Sequence, residues 1–211
     1  MTMSNVKEQI AQKVASFFKA GDVVNLGIGI PGLVRNYIVE GVQLHAENGL
    51  LGYGGQPEPG QEDPHYINAG GQLVTMPPGA SVSDSGGAFG LVRSGKLTAV
   101  VLGALQVDEQ GSIANWSIPG GRIMGMGGAM DLVSGAKRVI VAMEHNAKNG
   151  SAKILKRCTW PLTGFQVVDT IVTELGVFDV TEEGLVVREL FDGVSKEDVI
   201  ARTEAELIFK D

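Results

Sequence analysis

Residues 97–107 read LTAVVLGALQV, and residues 137–145 read KRVIVAMEH. Both are apolar runs that do not alternate, as expected for strands of a sheet covered on both faces. A short helix-like segment, SGGAFGLVRSG (85–95), precedes the first run, and GMGGAMDLVSGA (125–136) separates it from the second. Strands alternating with helices predict parallel crossovers. The flanks extend this pattern. Val6, Ile10, Val14 and Phe17/Phe18 recur at helical spacing over residues 4–20, with Ser4 as the cap. GDVVNLGIGIPG (21–32) predicts a strand breaking into glycines, LVRNYIVEG (33–41) a helix, and VQLHAE (42–47) a second strand. Residues 48–80 predict a long loop with short strands at HYINAG and QLVTM; a loop of that length in a compact fold is usually functional. EQGSIAN (109–115) predicts a turn, VFDVTEEGLVVREL (177–190) a late hairpin, and SKEDVIARTEAE (195–206) a capped helix. No internal repeat or linker is evident. The expectation is one α/β domain over residues 1–211, with a mixed, largely parallel sheet flanked by helices.

Composition narrows the function. The chain has 211 residues, 44% of them apolar and 19% charged, which is ordinary for a packed protein. Its 30 glycines are about twice the usual share of ~7% and cluster at 27–32, 49–55, 86–90 and 120–128. Clustered glycine marks loops where backbone must approach something closely. A net charge of −7, with no Lys/Arg run longer than two, argues against nucleic acid as a partner. The N-terminal stretch MTMSNVKEQIAQKV lacks the apolar core of a signal peptide, and no run of ~18 apolar residues predicts a membrane span. The single cysteine, Cys158, excludes an intramolecular disulfide framework and fits a reducing cytoplasm. His45, His65 and His145 lack ligand spacing, so no metal site is expected. Ser81, Ser83 and Ser85 lack a nucleophile elbow. Trp116, Met124, Met126 and Met130 read as packing residues.

Three local constellations carry chemistry, each with a plain alternative. Gly27-x-Gly29-x-x-Gly32 follows a strand-like run and opens a helix, and Glu47 stands where a ribose-binding acid would belong. This is the dinucleotide fingerprint, although little chain remains for a substrate domain. Glu47-Asn48-Gly49 is equally a tight hairpin turn or a turn presenting a carboxylate at a strand end. GMGGAM (125–130), ahead of a helix, offers backbone N–H groups to an oxyanion, or serves only close helix–strand packing.

Taken in order, VVNLGIGIPGLV, ENGLLG, INAGG, PPGAS, VLGALQVDEQGSIANWSIPG, GMGGAMDLVSGAKRVIVAMEH and KILKRCTWPLTG form a series that closely resembles the β subunit of the class I, 3-oxoacid-type CoA-transferases, from about residue 7 to 208. The resemblance implies that Glu47 is the catalytic nucleophile and Gly128 the oxyanion-hole glycine. It implies that Asn25, Gly27 and Gly29 form a strand-end loop lining the acyl and pantetheine channel. Asn48, Gly49 and Gly127 would be further positions touching substrate or CoA. Coenzyme A would be a substrate, with no cofactor and no metal. A separate α subunit would supply much of the CoA site and a second oxyanion donor in an α2β2-type assembly, leaving this chain inactive alone. NWSIPG and MEHNAKNGSAKILKRC lean towards the acetate/acetoacetate type, with acetate, butyrate or succinate as partner acids. A 3-oxoadipate CoA-transferase subunit is the alternative within this chemistry, and a non-catalytic dinucleotide-binding module the alternative outside it. The sequence departs from the family's usual pattern at Ala46 for serine, at Lys96 for histidine in VRSGK, and through SVSDSGGAF (81–89) for a Phe-rich segment. None of these is expected to touch Glu47 or Gly128.

Overall fold

The computed structural model describes residues 3–210; the side chains of residues 3–5, including the expected cap Ser4, lie outside the description. The chain begins with helix α1, Met3–Ala15. Strand β1, Val23–Leu26, leads through the short helix α2, Ile30–Leu33, to β2, Gln43–Ala46, and β3, Leu50–Leu51. Then come β4, Ser81–Val82, helix α3, Ser85–Arg93, and β5, Ala99–Leu102. Strands β6, Gln106–Asp108, and β7, Ile113–Ala114, precede helix α4, Ala129–Gly135, and strand β8, Val139–Ala142. The remainder is β9, Ile154–Leu155, β10, Thr170–Val172, the hairpin β11, Gly176–Thr181, with β12, Gly184–Leu190, helix α5, Lys196–Arg202, and β13, Leu207–Phe209.

Ten strands form one sheet in the order β13-β12-β11-β10-β8-β5-β1-β2-β3-β4. Its centre, β2-β1-β5-β8-β10, is parallel throughout, and antiparallel hairpins flank it on both sides. The mixed α/β architecture is the one expected. Successive residues of β5 face opposite cores: Val100 and Leu102 pack on one side with Val139, Val141, Leu132 and Val199, while Ala99 and Val101 pack on the other with Ile10, Val14, Ile140 and Ala142. Helix α1 covers one face, and α3, α4 and α5 contribute to the other. That two-sided burial is why the apolar runs do not alternate.

Four local expectations change. LTAVVLGALQV is two strands, because the chain leaves the large sheet at Gly103 and β6 joins a second, three-stranded sheet, β7-β6-β9. Both sheets bury the run, so hydrophobicity alone does not mark the break. LVRNYIVEG supplies only the end of α2 and a 3-10 turn at Val34–Asn36, after which β-branched and aromatic residues give way to Gly41. The expected strands HYINAG and QLVTM reduce to one bridge, Ile67 to Leu73. Asn68 Oδ1 accepts from the N–H groups of Gly70 and Gln72 and bends the chain between them. Helix α1 also ends at Ala15 rather than near residue 20. The expected cap on α5 is present as a capping box of Ser195 with Asp198, and the structure adds one on α3, where Asp84 accepts from Gly87 N–H at 2.7 Å.

The topology also places the crevice. From β1 the chain passes to β2 on one side, then returns to β5 on the other side, so the order reverses between β1 and β5. In open α/β sheets the binding crevice lies outside the carboxyl ends of the strands at such a point.

Candidate active site

A cleft of about 690 Å³ opens there. Leu26 and Gly27 from the end of β1, and Leu102 and Gly103 from the end of β5, form its floor. Ile28, Ala104, Leu105, Met124, Met126 and Leu132 make most of the wall apolar. Glu47 enters from the end of β2, and Gly127, Gly128 and Ala129 close the side at the start of α4.

Glu47 is held by the hairpin turn that the sequence allowed, and that turn sets its carboxylate at the end of β2. Ala46 pairs with Leu50 across β2 and β3, and Glu47-Asn48-Gly49 is the three-residue connection, closed by Gly49 N–H on Ala46 O at 3.0 Å. Gly49 lies at φ +118°, and a Cβ there would stand 1.9 Å from the Ser83 carbonyl oxygen. Ser83 N–H in turn donates to Gly49 O at 2.8 Å, tying the turn to the start of α3. Gly49→Ala is therefore expected to destabilise the chain by roughly 2–5 kcal/mol, the sum of left-handed backbone strain and overpacking. An unchanged thermal midpoint would show that the turn is not held this way.

The Glu47 carboxylate is half-buried against the Gly127–Gly128 backbone. A Cβ on Gly127 would lie 3.8 Å from Glu47 Oε1, and one on Gly128 would lie 3.0 Å from Glu47 Cδ and 2.7 Å from the Phe89 ring. Burial pushes the Glu47 carboxyl above its ordinary range, and the Gly128 backbone N–H acts against that shift by favouring the anion. A carboxylate paired with a backbone N–H in a half-dry cleft has the geometry that a nucleophile beside an oxyanion donor requires.

Behind Glu47 lies a polar cluster that sequence reading missed. His45 is buried between β1 and α3. Asn25 Nδ2 donates to His45 Nδ1 at 3.1 Å and to the His45 carbonyl at 3.2 Å, and His45 Nε2 donates to Ala88 O at 3.2 Å. Asn25 donates to the lone pair of Nδ1, so the neutral Nε2–H form fits, and burial lowers the imidazole pKa in agreement. The contacts join β1, β2 and α3, the elements that position Glu47 and Phe89.

The expected site residues separate accordingly. Glu47, Gly27, Gly127 and Gly128 line the cleft. Gly29 lies in an adjoining hollow with Arg35, Tyr53 and Gln72. Asn25 is committed to His45, and Asn48 Nδ2 donates to Ile67 O at 2.8 Å, fastening the 48–80 loop. Gly49 faces a separate hollow with Ser81 and Leu91. Asn115, Arg122 and Phe89 are further residues at or beside the cleft, and no local sequence signal marks them.

The departures also sort by position. Ala46 is buried with Leu44, Leu50, Tyr53 and Val74, away from the cleft lining. Lys96 precedes the amino end of β5, opposite the site. One expectation fails: SVSDSGGAF does reach the site, because Phe89, its last residue, packs where a Gly128 side chain would stand.

The family model described as Coenzyme A transferase matches residues 7–202. The chain belongs to the coenzyme A transferase family. It is 49% identical over 203 residues to the beta chain of the acetate CoA-transferase of Escherichia coli (strain K12), covering 95% of this chain and 93% of that one. It is 47% identical over 206 residues to the corresponding chain of a probable succinyl-CoA:3-ketoacid coenzyme A transferase of Bacillus subtilis (strain 168), covering 97% and 95%. The solved acyl-CoA transferase apoenzyme of Escherichia coli O157:H7 shares the fold, with a TM-score of 0.77 at 20% identity. This chain aligns over 100% of its length with 43% of that structure. In this CoA-transferase chain the cleft holds Glu47 against the Gly127–Gly128 pair. The four-residue α2 is too short to offer the dinucleotide fingerprint the helix it needs, and Glu47 meets Gly128 rather than a ribose position.

Proposed function

We propose that this chain is the β-type subunit that carries the nucleophile of a short-chain CoA-transferase, moving CoA between a 3-oxoacyl-CoA such as acetoacetyl-CoA and acetate, butyrate or succinate. The observation that carries the proposal is the Glu47 carboxylate packed on the Gly127–Gly128 backbone in an apolar cleft at the sheet's switch point. Glu47 attacks the acyl-CoA carbonyl, the C–S bond breaks, and CoA thiolate leaves behind a mixed anhydride. The thiolate attacks the glutamyl carbonyl and the anhydride C–O bond breaks. The first acid departs as a carboxylate and a γ-glutamyl-CoA thioester remains. A second carboxylate attacks that thioester and expels the thiolate, which then attacks the new acyl carbonyl and restores Glu47. No proton is gained or lost and no energy source is needed, because each step exchanges one activated carbonyl for another. Coenzyme A enters as substrate, and no step calls for a metal or a cofactor. The Gly128 N–H, which donates to the Glu47 carboxylate, supports the oxyanion that forms on the glutamyl carbon when thiolate attacks it.

The cleft is unfinished. Ile28 is 79% exposed, Met124 47% and Met126 43%, all on its rim. Such a patch beside a half-exposed nucleophile calls for a cover that excludes water from the thioester. An α subunit in an α2β2-type assembly is the cover that fits, with this chain inactive alone. The cytoplasm, where acyl-CoA is at hand, is the compartment for this reading; no helix among the described residues is long and apolar enough to cross a membrane.

Co-expressed with its α subunit, the chain should give parallel-line ping-pong kinetics across acetate, butyrate and succinate. The acid limb of kcat/KM for the acyl-CoA should fall at a pH above the ~4.3 of an ordinary glutamate, since the ionised form attacks and burial raises its pKa. Intersecting lines would contradict the covalent route.

A further inference from the structure

Arg122 is the candidate that the rest of the molecule leaves unexplained. Among the residues lining the cleft, Glu47 and Arg122 are the two that carry charge. Five other arginines are engaged: Arg93 with Asp131, Arg188 with Asp179, Arg202 with Glu174, Arg35 with Gln72 and Arg138 with Thr170. Arg157 also has no side-chain partner among the described residues, but it does not line the cleft. No ion pair or side-chain hydrogen bond holds the Arg122 guanidinium among the described residues. Its backbone, by contrast, is fixed. Ile118 N–H donates to Arg122 O at 3.0 Å, Ser117 bridges Ile123, and Met124 N–H donates to Trp116 O at 2.8 Å. Trp116 Nε1 is itself anchored on Leu162 O at 3.2 Å. Exposed on the rim of an apolar wall and carried on a fixed stem, the Arg122 fork is free to meet an anion that enters the cleft.

Resting on the transferase reading above, we propose that Arg122 binds the carboxylate of the free acid substrate. The acid must leave water and enter an apolar cleft as an anion before it attacks the glutamyl thioester, and an unpaired buried carboxylate is costly. A guanidinium matches a carboxylate with two parallel N–H donors and keeps its charge at any working pH. The phosphates of CoA are the competing anions, but the pantetheine arm separates them from the thioester sulfur. That arm's reacting end, not its phosphate end, must meet Glu47 in this cleft.

The test is the KM split in the assembled αβ complex, with acetoacetyl-CoA as donor and whichever of acetate, butyrate and succinate turns over fastest as acceptor. In Arg122→Ala, KM for the acid should rise at least ~10-fold while KM for the acyl-CoA changes less than ~2-fold. Arg122→Lys, which keeps charge but loses the fork, should recover part of the loss. An unchanged acid KM would overturn the assignment. So would a loss confined to the acyl-CoA, which would place the phosphates on Arg122 instead. The CoA adduct on Glu47 in the unsubstituted complex reports separately on the transferase reading, so failure of one is distinguishable from failure of the other.

Discussion

Glu47→Gln leaves the assembled complex with CoA transfer reduced by about 10⁴-fold or more, the scale seen when a covalent nucleophile is removed. The amide keeps the shape of the side chain and still accepts from the Gly128 N–H, but it cannot form the anhydride. Stability should move the other way. The folded-state pKa of Glu47 is raised by burial, so the folded chain binds this proton more tightly than the unfolded chain does. The stabilisation from that proton is fully present below the unfolded pKa and is lost as pH rises through the folded pKa. At neutral pH the ionised carboxylate is therefore a burden on the fold, which a neutral amide relieves. The thermal midpoint of Glu47→Gln at pH 7 should equal or exceed that of the native chain, and the difference should vanish in acid. A variant that is both inactive and clearly less stable would show that Glu47 holds structure rather than chemistry.

Gly128→Ala is the second large effect. Gly128 sits at φ −86°, which alanine adopts without strain, so the consequence is steric. The new methyl would stand 2.7 Å and 2.9 Å from Phe89 ring atoms and 3.0 Å from Glu47 Cδ. One or both must move by several tenths of an ångström, carrying the nucleophile away from its oxyanion donor. Misplacement on the scale of 1 Å can slow a reaction by about 10²-fold. The expected result is a loss of that order in kcat with subunit assembly intact by gel filtration. Phe89→Ala in the same chain removes the tighter of the two contacts and should return part of the rate. Native activity in Gly128→Ala would mean that the glycine pair does not set the geometry of Glu47.

The centre of the sheet was legible because Val100, Val101, Ile140 and Val141 are buried on both faces, and two-sided burial writes itself as an unbroken apolar run. The same property hid the break at Gly103: a run that leaves one sheet for another stays apolar throughout. The hairpin β11–β12 and the capped α5 were legible because Glu182-Glu183-Gly184 and Ser195-x-x-Asp198 are local chemistry. The short bridge between Ile67 and Leu73 was over-read as two strands because the side chain of Asn68, not its neighbours' propensity, directs the chain there. At the site, Glu47 was locally ambiguous between a turn residue and a nucleophile, and only the order of motifs along the chain favoured the second. His45, Phe89 and Arg122 lie 2, 42 and 75 positions from Glu47 and reach the site, or its support, through the sheet order. Spacing along a chain carries no trace of contacts made that way.

The most direct measurement is the intact mass of this chain from an αβ complex with demonstrated transfer activity, incubated with acetoacetyl-CoA in the absence of an acceptor acid. A gain equal to CoA minus water, mapped by peptide analysis to Glu47 and discharged by adding acetate, butyrate or succinate, is the predicted result. Turnover by a complex in which Glu47 never carries CoA would contradict the account.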